Sequence, residues 1–233
     1  MCDTSSSRIS LSIRRSDCNP FRAIPVVAAG AVRYDATRVA SAGSEQQTIE
    51  ASGYVLVGGR SSRFGSPKAL HLVDGRAMAL RVAEALASRV RAVTLVGDPD
   101  QYAVLGMPVI GDRIERAGPL AGIVAALHHT PQKWCIVAAC DMPFVSSGLV
   151  DQLLGAAGIA SVDAIIPQTP DGRLQPLFAA YAKSGVAPLE HALLHGTRKV
   201  TDALECVNWA KLPVDDARSF ANVNRPSDLS AAG

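Results

Sequence analysis

The sequence has 233 residues, of which 48% are hydrophobic and 19% are charged, and its formal net charge is +2. This composition supplies enough apolar material for the core of one globular domain, and the balanced charge excludes nucleic acid and membrane surfaces as expected partners. The five cysteines form no CxxC pair and no dense framework, a pattern typical of free thiols in a cytoplasmic protein. No apolar run reaches the roughly 18 residues that a membrane span needs.

Residues 1–50 differ in composition from the rest of the chain. They are rich in serine, and all six of their basic residues are arginine. The apolar run over 23–32 follows four of these arginines, as in a short signal peptide, but Pro25 and Gly30 interrupt it. We therefore expect a poorly ordered N-terminal extension over 1–50 and one folded domain over 51–233.

From residue 51 onward, short apolar runs alternate with longer amphipathic ones. The apolar runs predict strands, and the runs rich in alanine and leucine at helical spacing predict helices. In chain order, the predicted elements are a strand over 54–57, a helix over 77–90 introduced by an Asp74-Gly75 turn, strands over 92–97 and 108–112, a helix over 118–129, a strand over 134–141, a helix over 149–157 and a strand over 163–167. The second half is more mixed: residues 169–181 predict a hairpin around Pro170-Asp171-Gly172, and 220–224 predict a strand or a loop.

Short, fully apolar strands separated by helices indicate βαβ units, whose parallel sheet is covered by helices on both faces. The predicted fold class is therefore α/β: a Rossmann-like three-layer α/β/α arrangement around a mostly parallel sheet, with a small antiparallel insertion. The sequence contains no internal repeat and no second folded domain.

The segment GGRSSRFGSPK, over 58–68, is the first candidate site, because ligands of open parallel sheets bind just after the strands. Its glycines allow close backbone approach and N–H donation, and Arg60, Arg63 and Lys68 supply cationic donors, which together suit a polyphosphate. The segment lacks both the GK[ST] of a Walker A loop and the GxGxxG of a dinucleotide fingerprint. A solvated basic loop is therefore the plain alternative.

Carboxylates follow two other predicted strands. Asp141 ends a nearly all-apolar run, and Met142-Pro143, which follow it, prevent the strand from continuing. Magnesium is commonly held by one or two carboxylates plus substrate phosphates, so Asp141 predicts a metal site, with a turn or helix-cap role as the alternative. Asp112 suits a turn at least as well as a ligand. His191 and His195 have a metal-binding spacing, but the sequence offers no third ligand beside them.

Five short blocks, in order along the chain, resemble one known family. VGGRSSRFGSPKAL, at 57–70, is similar to the opening signature of the MobA-like nucleotidyltransferases. The other blocks are GPLAGI at 118–123, ACDMP at 139–143, QPLFAAY at 175–181 and FANVNRPSDL at 220–229. Together these blocks resemble the molybdenum cofactor guanylyltransferase family over residues 54–229.

This resemblance implies an enzyme that uses Mg²⁺ to transfer GMP from GTP to the terminal phosphate of molybdopterin, giving molybdopterin guanine dinucleotide and pyrophosphate. It also implies other molybdenum cofactor biosynthesis proteins and recipient molybdoenzymes as partners. At matching positions it implies that the backbone of Leu56, Val57, Gly58 and Gly59 contacts the nucleotide, that Lys68 and Asp112 bind GTP, that Asp141 binds GTP and the metal, and that Asn222 and Asn224 lie on the molybdopterin side. Lys68, Asp141 and Arg63 are the expected catalytic residues.

The chemistry that the resemblance implies suits these residue types. The attacking group is a phosphate that is already anionic at neutral pH, so it needs little help from a general base. The difficulty lies in bringing two anions together and in stabilising the charge that builds on the α-phosphoryl group and the pyrophosphate. A metal ion, a lysine, guanidinium groups and backbone N–H donors meet this need without a catalytic triad.

The chain departs from the family pattern at three places. Pro67 precedes the lysine where the family usually has an aspartate, so the contacts of that carboxylate are absent. Ser62 replaces an arginine that is common in the loop, and Gly97-Asp98 stands where some members carry an asparagine. The resemblance therefore leaves one contact to the nucleotide base unassigned. Lys68, Asp112 and Asp141 are retained.

Three alternatives remain open from the sequence. The nearest is a cytidylyltransferase acting on the same pterin, or a sugar-nucleotide pyrophosphorylase, although GPLAGI together with CDMP favours the guanylyl branch. A protein that binds GTP without catalysis is the second, although an inactive site has no reason to keep both Lys68 and Asp141. A dehydrogenase or methyltransferase on a Rossmann-like sheet is the third, and the missing GxGxxG argues against it.

Overall fold

The computed structural model describes residues 12–14, 49–58, 67–112, 114 and 117–223, with 12–14 described by their backbone alone. The strands are β1 Ser12–Arg14, β2 Ala51–Leu56, β3 Leu72–Val73, β4 Arg76–Ala77, β5 Val93–Val96, β6 Val109–Ile110, β7 Trp134–Ala139, β8 Ala164–Gln168, β9 Phe178–Ala182 and β10 Trp209–Pro213. The α-helices are α1 Met78–Ala87, α2 Pro99–Tyr102, α3 Pro119–His129, α4 Ser147–Ile159, α5 Val186–Leu194 and α6 Val200–Ala203. Within these described ranges, no helix has the length and apolar character that crossing a membrane requires.

Eight of the strands form one sheet in the order β1-β10-β8-β9-β7-β2-β5-β6. The pairs β10–β8, β7–β2, β2–β5 and β5–β6 are parallel, whereas β9 lies antiparallel between β8 and β7. β1 is antiparallel to β10 at one edge, and β3 and β4 form a separate two-stranded hairpin. This mostly parallel sheet with a small antiparallel part confirms the predicted fold class.

The order of the parallel strands reverses beside β2. The chain runs from β2 outward through β5 to β6 and then returns to place β7 on the other side of β2. In open α/β sheets such a reversal opens a crevice outside the carboxyl ends of the two strands, and ligands bind there. The residues just after β2 and β7 are therefore the positions where this fold favours a site.

Helices cover both faces of the sheet, as the apolar strands require. Every residue of β2 and of β7 is buried. On one face α1 and α4 bury residues such as Val82 and Leu153 in one hydrophobic cluster, and on the other face α3 and α5 bury residues such as Leu120 and Leu189 in a second. The burial of apolar surface, at roughly 25 cal/mol per Å², is the dominant favourable contribution to folding.

Two predicted turns are confirmed. Asp74 and Gly75 link β3 to β4 with φ of 49° and 75°, as in a two-residue hairpin turn. Gly172 has φ of 84°, and its N–H donates to the Thr169 carbonyl at 2.8 Å. This second turn reverses the chain, so that β9 enters the sheet antiparallel to β8.

The sequence reasoning misses β10, α5 and α6. β10 reads WAKLP, in which Lys211 and Pro213 interrupt the apolar pattern. α5 contains Pro188 in its first turn, where the missing N–H is harmless because first-turn N–H groups have no partner within the helix. The segment 220–224, predicted as a strand or a loop, begins in a 3-10 helix over Arg218–Phe220 and is irregular over 221–223.

A small part of the predicted N-terminal extension lies within the described residues. Ser12–Arg14 form β1 and pair antiparallel with residues 209–211 of β10. Residues 49 and 50 are also described, directly before β2. The other residues of 1–50 lie outside the described part of the chain, so their expected lack of order stays a prediction. The strand β1 is nevertheless an addition to the sheet that the sequence pattern does not indicate.

We expect that removal of β1 promotes association between chains. Deleting residues 1–48 leaves the N–H and C=O groups along the outer edge of β10 unpaired, and an open edge of this kind pairs readily with another strand. Size-exclusion chromatography with light scattering should give the shortened chain a higher ratio of average mass to monomer mass than the full chain, by an excess that grows with concentration. Ile13→Pro, which removes one N–H from β1, should raise this ratio as well. An equal ratio for the full and shortened chains would contradict this role of β1.

Candidate active site

An ion pair between Lys68 and Asp141 joins two of the predicted site residues. The Lys68 Nζ donates to the Asp141 Oδ2 at 3.0 Å, and the two side chains keep 17% and 26% of their surface exposed. These residues are 73 positions apart in the sequence, and they meet because the segments after β2 and β7 leave the sheet side by side. The structure thus brings the predicted catalytic lysine to the predicted metal ligand.

The register of β7 with β2 determines where Asp141 lies. Leu56 and Ala139 are partners at the ends of the two strands, and the Cys140 N–H donates to the Leu56 carbonyl at 3.1 Å. Asp141 is therefore the first residue of this segment beyond the sheet. Met142 is buried directly behind it, so the backbone turns away while the carboxylate stays at the crevice.

Lys68 is held in place by the 3-10 helix that it begins, Lys68–Leu70. Ala69 is fully buried in the hydrophobic cluster under α1 and α4, which anchors the backbone next to the lysine. Pro67 precedes this helix with φ of −57°, a value that its ring imposes and that a helical turn accepts. The proline that departs from the family pattern thus supports the turn that carries the lysine.

The ion pair itself adds little to the stability of the fold. Both side chains are largely buried, so the attraction between the two charges is offset by the free energy needed to remove them from water. A ligand explains the arrangement better, because an ammonium group binds phosphate oxygens and a carboxylate binds a metal cation. The pair therefore holds two complementary binding groups at the crevice.

Asp112 follows β6, and its carboxylate lies close to two glycines of neighbouring elements. A Cβ atom added to Gly58 would lie 3.8 Å from the Asp112 Oδ2, and one added to Gly122 of α3 would lie 3.6 Å from the Oδ1. Partial burial raises the pKa of Asp112 above that of an ordinary aspartate. Among the described residues, no hydrogen bond or ion pair offsets this burial. A carboxylate in this condition is typical of a position that meets the donors of a ligand.

The first turn of α3 lies beside the end of β2. A Cβ atom on Gly122 would lie 2.9 Å from the Leu56 Cδ2, so the absence of a side chain permits this close approach. Gly118, with φ of 80°, and Pro119 begin the helix. The N-terminal end of a helix favours anions, which adds to the effect of Lys68 at the same edge of the sheet.

The C-terminal segment is tied to Asp141 through its backbone. The Val223 N–H donates to the Asp141 carbonyl at 2.9 Å, and the exposed Asn222 is its neighbour in the chain. Val223 is buried in a small cluster with Val73 and Met78, which fixes the segment against the base of α1. Asn222, predicted on the molybdopterin side, therefore lies next to a residue that contacts the predicted metal ligand.

Some predicted site residues cannot be placed. Arg63, Gly59 and Asn224 lie outside the residues that the structure describes, and their roles stay predictions. Gly58 is described, and its N–H donates to the Val96 carbonyl at 3.3 Å. What Gly58 offers a ligand is therefore a surface without a side chain, and its N–H is already engaged.

The sequence reasoning misses the packing around the end of β5, where Tyr102 and Gly97 contact Val57. Tyr102, at the end of α2, is buried, and its hydroxyl donates to the Val57 carbonyl at 2.7 Å. A Cβ atom on Gly97 would lie 2.8 Å from the Val57 Cγ2, so this departure from the family pattern is a packing requirement here. Asp98, beside it, accepts hydrogen bonds from backbone N–H groups of α2 as the helix cap. The signal available in the sequence for this contact was a single tyrosine, Tyr102, in a short polar segment directly after an apolar run.

The histidine pair on α5 is not joined to this site. The rings of His191 and His195 stack with centroids 3.9 Å apart, and the His195 Nδ1 lies 2.8 Å from the His191 carbonyl oxygen. Among the described residues, no group of three or more histidine, cysteine, aspartate or glutamate side chains could hold a metal ion.

The chain is similar in sequence to one family of known proteins. A model of the MobA-like NTP transferase domain matches residues 53–208. The chain is 36% identical over 192 residues to the probable molybdenum cofactor guanylyltransferase of Pelotomaculum thermopropionicum, with 79% of this chain and 92% of that protein covered. It is 34% identical over 186 residues to the molybdenum cofactor guanylyltransferase of Cupriavidus metallidurans, with 76% and 92% covered.

Solved structures agree with this similarity. Molybdopterin-guanine dinucleotide biosynthesis protein A from Archaeoglobus fulgidus superposes with a TM-score of 0.67 and 35% identity, with 78% of this chain and 96% of that chain covered. The 2-C-methyl-D-erythritol 4-phosphate cytidylyltransferase from Thermus thermophilus has a TM-score of 0.60 at 21% identity, with 79% and 97% covered, and it shows the shared fold alone. The chain therefore belongs to the molybdenum cofactor guanylyltransferase family of MobA-like NTP transferases.

Proposed function

We propose that this chain transfers GMP from GTP to molybdopterin, giving molybdopterin guanine dinucleotide and pyrophosphate. The observation that carries the proposal is the Lys68–Asp141 pair, which provides one cation and one metal ligand at the strand reversal where this fold binds ligands. The relatives named for guanylyl transfer support GTP as the donor nucleotide.

The proposed reaction replaces one phosphoanhydride bond by another. An oxygen of the terminal phosphate of molybdopterin attacks the α-phosphorus of GTP and forms the new P–O bond. The bond from the α-phosphorus to the oxygen that bridges to the β-phosphorus breaks, and pyrophosphate leaves with the electron pair. Repulsion between the anions and the charge on the leaving group make up much of the barrier, and Lys68 supplies a cation that is already in place to lower it.

Asp141 suits a metal ion that arrives with the triphosphate. Mg²⁺ is commonly bound by one or two carboxylates plus substrate phosphates, and a single, partly exposed carboxylate fits that mode. The part of the chain that the structure describes has no cluster from which the protein alone would build a metal cage. When bound, Mg²⁺ would neutralise phosphate charge, and Asp141 would be the residue that holds it.

Asp112 is proposed to accept hydrogen bonds from the nucleotide. An ionised carboxylate is an acceptor only, and both the guanine edge and the ribose carry N–H or O–H donors. The position of Asp112 beside Gly58 and Gly122 is close to the end of β2, where the nucleotide is expected to follow the backbone. Nucleotide binding would then offset the free-energy cost of burying this carboxylate.

The remaining roles are proposed from the family alone. Arg63 is expected to contact phosphates, Gly59 the nucleotide, and Asn222 and Asn224 the molybdopterin. Other molybdenum cofactor biosynthesis proteins and recipient molybdoenzymes are the expected protein partners. The cytoplasmic location expected from the cysteine pattern also stays a prediction.

Replacing Lys68 by alanine is expected to lower kcat by roughly 10²–10³, the scale for losing one preorganised group that stabilises transition-state charge. The measurement is pyrophosphate release from molybdopterin, GTP and Mg²⁺. Lys183→Ala is the matched control, because Lys183 also donates a hydrogen bond, to the Thr130 carbonyl at 2.6 Å, but it follows β9 beside the first residue of β7, at the end of that strand away from Asp141. This control should keep wild-type turnover.

A kcat of the Lys68→Ala variant within threefold of that of the wild type would show that Lys68 does not take part in the reaction.

The same assay with CTP tests the nearest alternative, a cytidylyltransferase, since we expect pyrophosphate release with GTP and little with CTP. A preference for CTP would keep the fold and the mechanism but change the product. Tight GTP binding without release from either nucleotide would assign the chain to a non-catalytic class.

Asp112→Asn is expected to stabilise the fold and to weaken GTP binding. Because burial raises the pKa of Asp112 in the folded state, its charged form lowers stability above that pKa, and this cost disappears as the pH falls through it. The neutral amide avoids the cost, so the melting temperature at pH 7 should rise above that of the wild type. The difference should shrink in acid, and calorimetric titration at pH 7 should show weaker GTP binding.

Asp151→Asn provides the control for the loss of one negative charge. Asp151 is exposed on α4 and pairs with Arg89 at the surface, so its replacement should change the melting temperature little and GTP affinity not at all. If Asp112→Asn melted below the wild type at pH 7, or bound GTP as tightly, the proposed role of Asp112 would be wrong.

A further inference from the structure

The peptide that links Val57 to Gly58 is fixed by hydrogen bonds at both of its polar groups. Its N–H, on Gly58, donates to the Val96 carbonyl at 3.3 Å, and its carbonyl, on Val57, accepts from the Tyr102 hydroxyl at 2.7 Å. The Val57 N–H also donates to the Val96 carbonyl, at 3.0 Å. This peptide cannot rotate without losing contacts to both the strand β5 and the helix α2.

Tyr102 is delivered to this position by a short, well-capped helix. The Asp98 carboxylate accepts from the Asp100 N–H at 2.9 Å and from the Gln101 N–H at 3.3 Å, which fixes the start of α2 directly after β5. The side chain of Tyr102 is 2% exposed and belongs to the main hydrophobic cluster. Burial raises the pKa of Tyr102 to about 12, so its hydroxyl remains a donor at working pH.

Gly97 closes this contact from the other side. A Cβ atom there would lie 2.8 Å from the Val57 Cγ2, 3.1 Å from the Tyr102 Cε2 and 3.2 Å from the Gly58 N. The backbone of Gly97 therefore packs directly against both the tyrosine ring and the end of β2. We call Val57, Gly97 and Tyr102 the β2 clamp.

We propose that Tyr102 is a positioning residue for nucleotide binding, whose hydroxyl holds the Val57–Gly58 peptide so that the end of β2 is preformed for GTP. The inference deepens the proposed function and rests on it. A buried carbonyl without a partner is costly, so loss of the hydroxyl would favour rotation of this peptide. Since a Cβ on Gly58 would lie 3.8 Å from the Asp112 Oδ2, a rotated peptide would also disturb the spacing between the strand end and that carboxylate.

If Tyr102 contributed to stability alone, its replacement would not affect one substrate more than the other. Removing a hydrogen bond from any buried tyrosine lowers the stability of the fold. A positioning role for Tyr102 predicts, in addition, a loss of affinity for GTP that molybdopterin does not share. The chain offers a matched control on β2 itself: Tyr54 is 1% exposed, and its hydroxyl lies 2.9 Å from the Nδ1 of His129 at the C-terminal end of α3. That end of α3 is remote from its first turn at the site.

The experiment compares Tyr102→Phe with Tyr54→Phe and the wild type. Both substitutions keep the ring and remove one hydroxyl, so both should lower the melting temperature. Tyr102→Phe should raise the KM for GTP and the calorimetric Kd for GTP about tenfold, which corresponds to about 1.4 kcal/mol. The KM for molybdopterin should stay within about twofold, and Tyr54→Phe should leave all three constants close to those of the wild type.

The outcomes separate this inference from the function on which it rests. If the wild type binds GTP and releases pyrophosphate while Tyr102→Phe keeps its GTP constants, or loses affinity for both substrates equally, the positioning role is wrong. If the wild type neither binds GTP nor releases pyrophosphate, the proposed function fails first.

A second variant tests the clamp without touching the tyrosine. Gly97→Ala inserts a methyl group against Val57 and the Gly58 N, so it should also raise the KM for GTP in preference to that for molybdopterin. Gly155→Ala is its control, since a Cβ at Gly155 of α4 meets no described atom within 4 Å apart from its chain neighbours and the nearby backbone of its own helix. Equal GTP constants for the two alanine variants would contradict the clamp.

Discussion

The parallel pairing of β2 with β7 is the constraint on which the candidate site depends. All six residues of each strand are buried, and the pairing ends with Leu56 opposite Ala139. Because side chains on both faces of these strands are packed against helices, a shift of register would disrupt that packing on both faces, so burial holds both strand ends at one level. Lys68 and Asp141 can therefore meet across 73 positions of sequence, and they lie beside the strand reversal, the position at which open α/β sheets bind ligands.

The site concentrates electrostatic features that do not stabilise the folded protein by themselves. Asp112 is partly buried, with no partner among the described residues, and the largely buried pair of Lys68 with Asp141 contributes little net stability. The first turn of α3 adds a surface that favours anions. In the proposed function, these features would become favourable together when a nucleotide and a cation bind. Groups already in position need no reorganisation during the reaction, which is what transfer between two phosphates requires.

The sequence predicts what depends on local pattern, and it misses what depends on contacts between distant segments. Apolar runs and turn residues are sufficient to predict most strands of the sheet, but not β1 or β10, and the strand-end rule is sufficient to select Lys68 and Asp141. The burial of Asp112 against two glycines and the bond from Tyr102 to Val57, 45 positions away, depend on tertiary packing that no local pattern encodes. β10 is missed for another reason, because its pairing with β8 overrides the weak strand pattern of its sequence.

The most direct test of the account follows the α-phosphorus of the nucleotide. The purified protein would be incubated with molybdopterin, Mg²⁺ and GTP labelled at the α-phosphate, and the products would be separated by chromatography and identified by mass. The account predicts that the label appears in molybdopterin guanine dinucleotide, with unlabelled pyrophosphate in equal amount, and that Asp141→Asn abolishes the transfer. Label that stays in GTP or appears as free GMP, under conditions where the protein is folded and binds GTP, would contradict it.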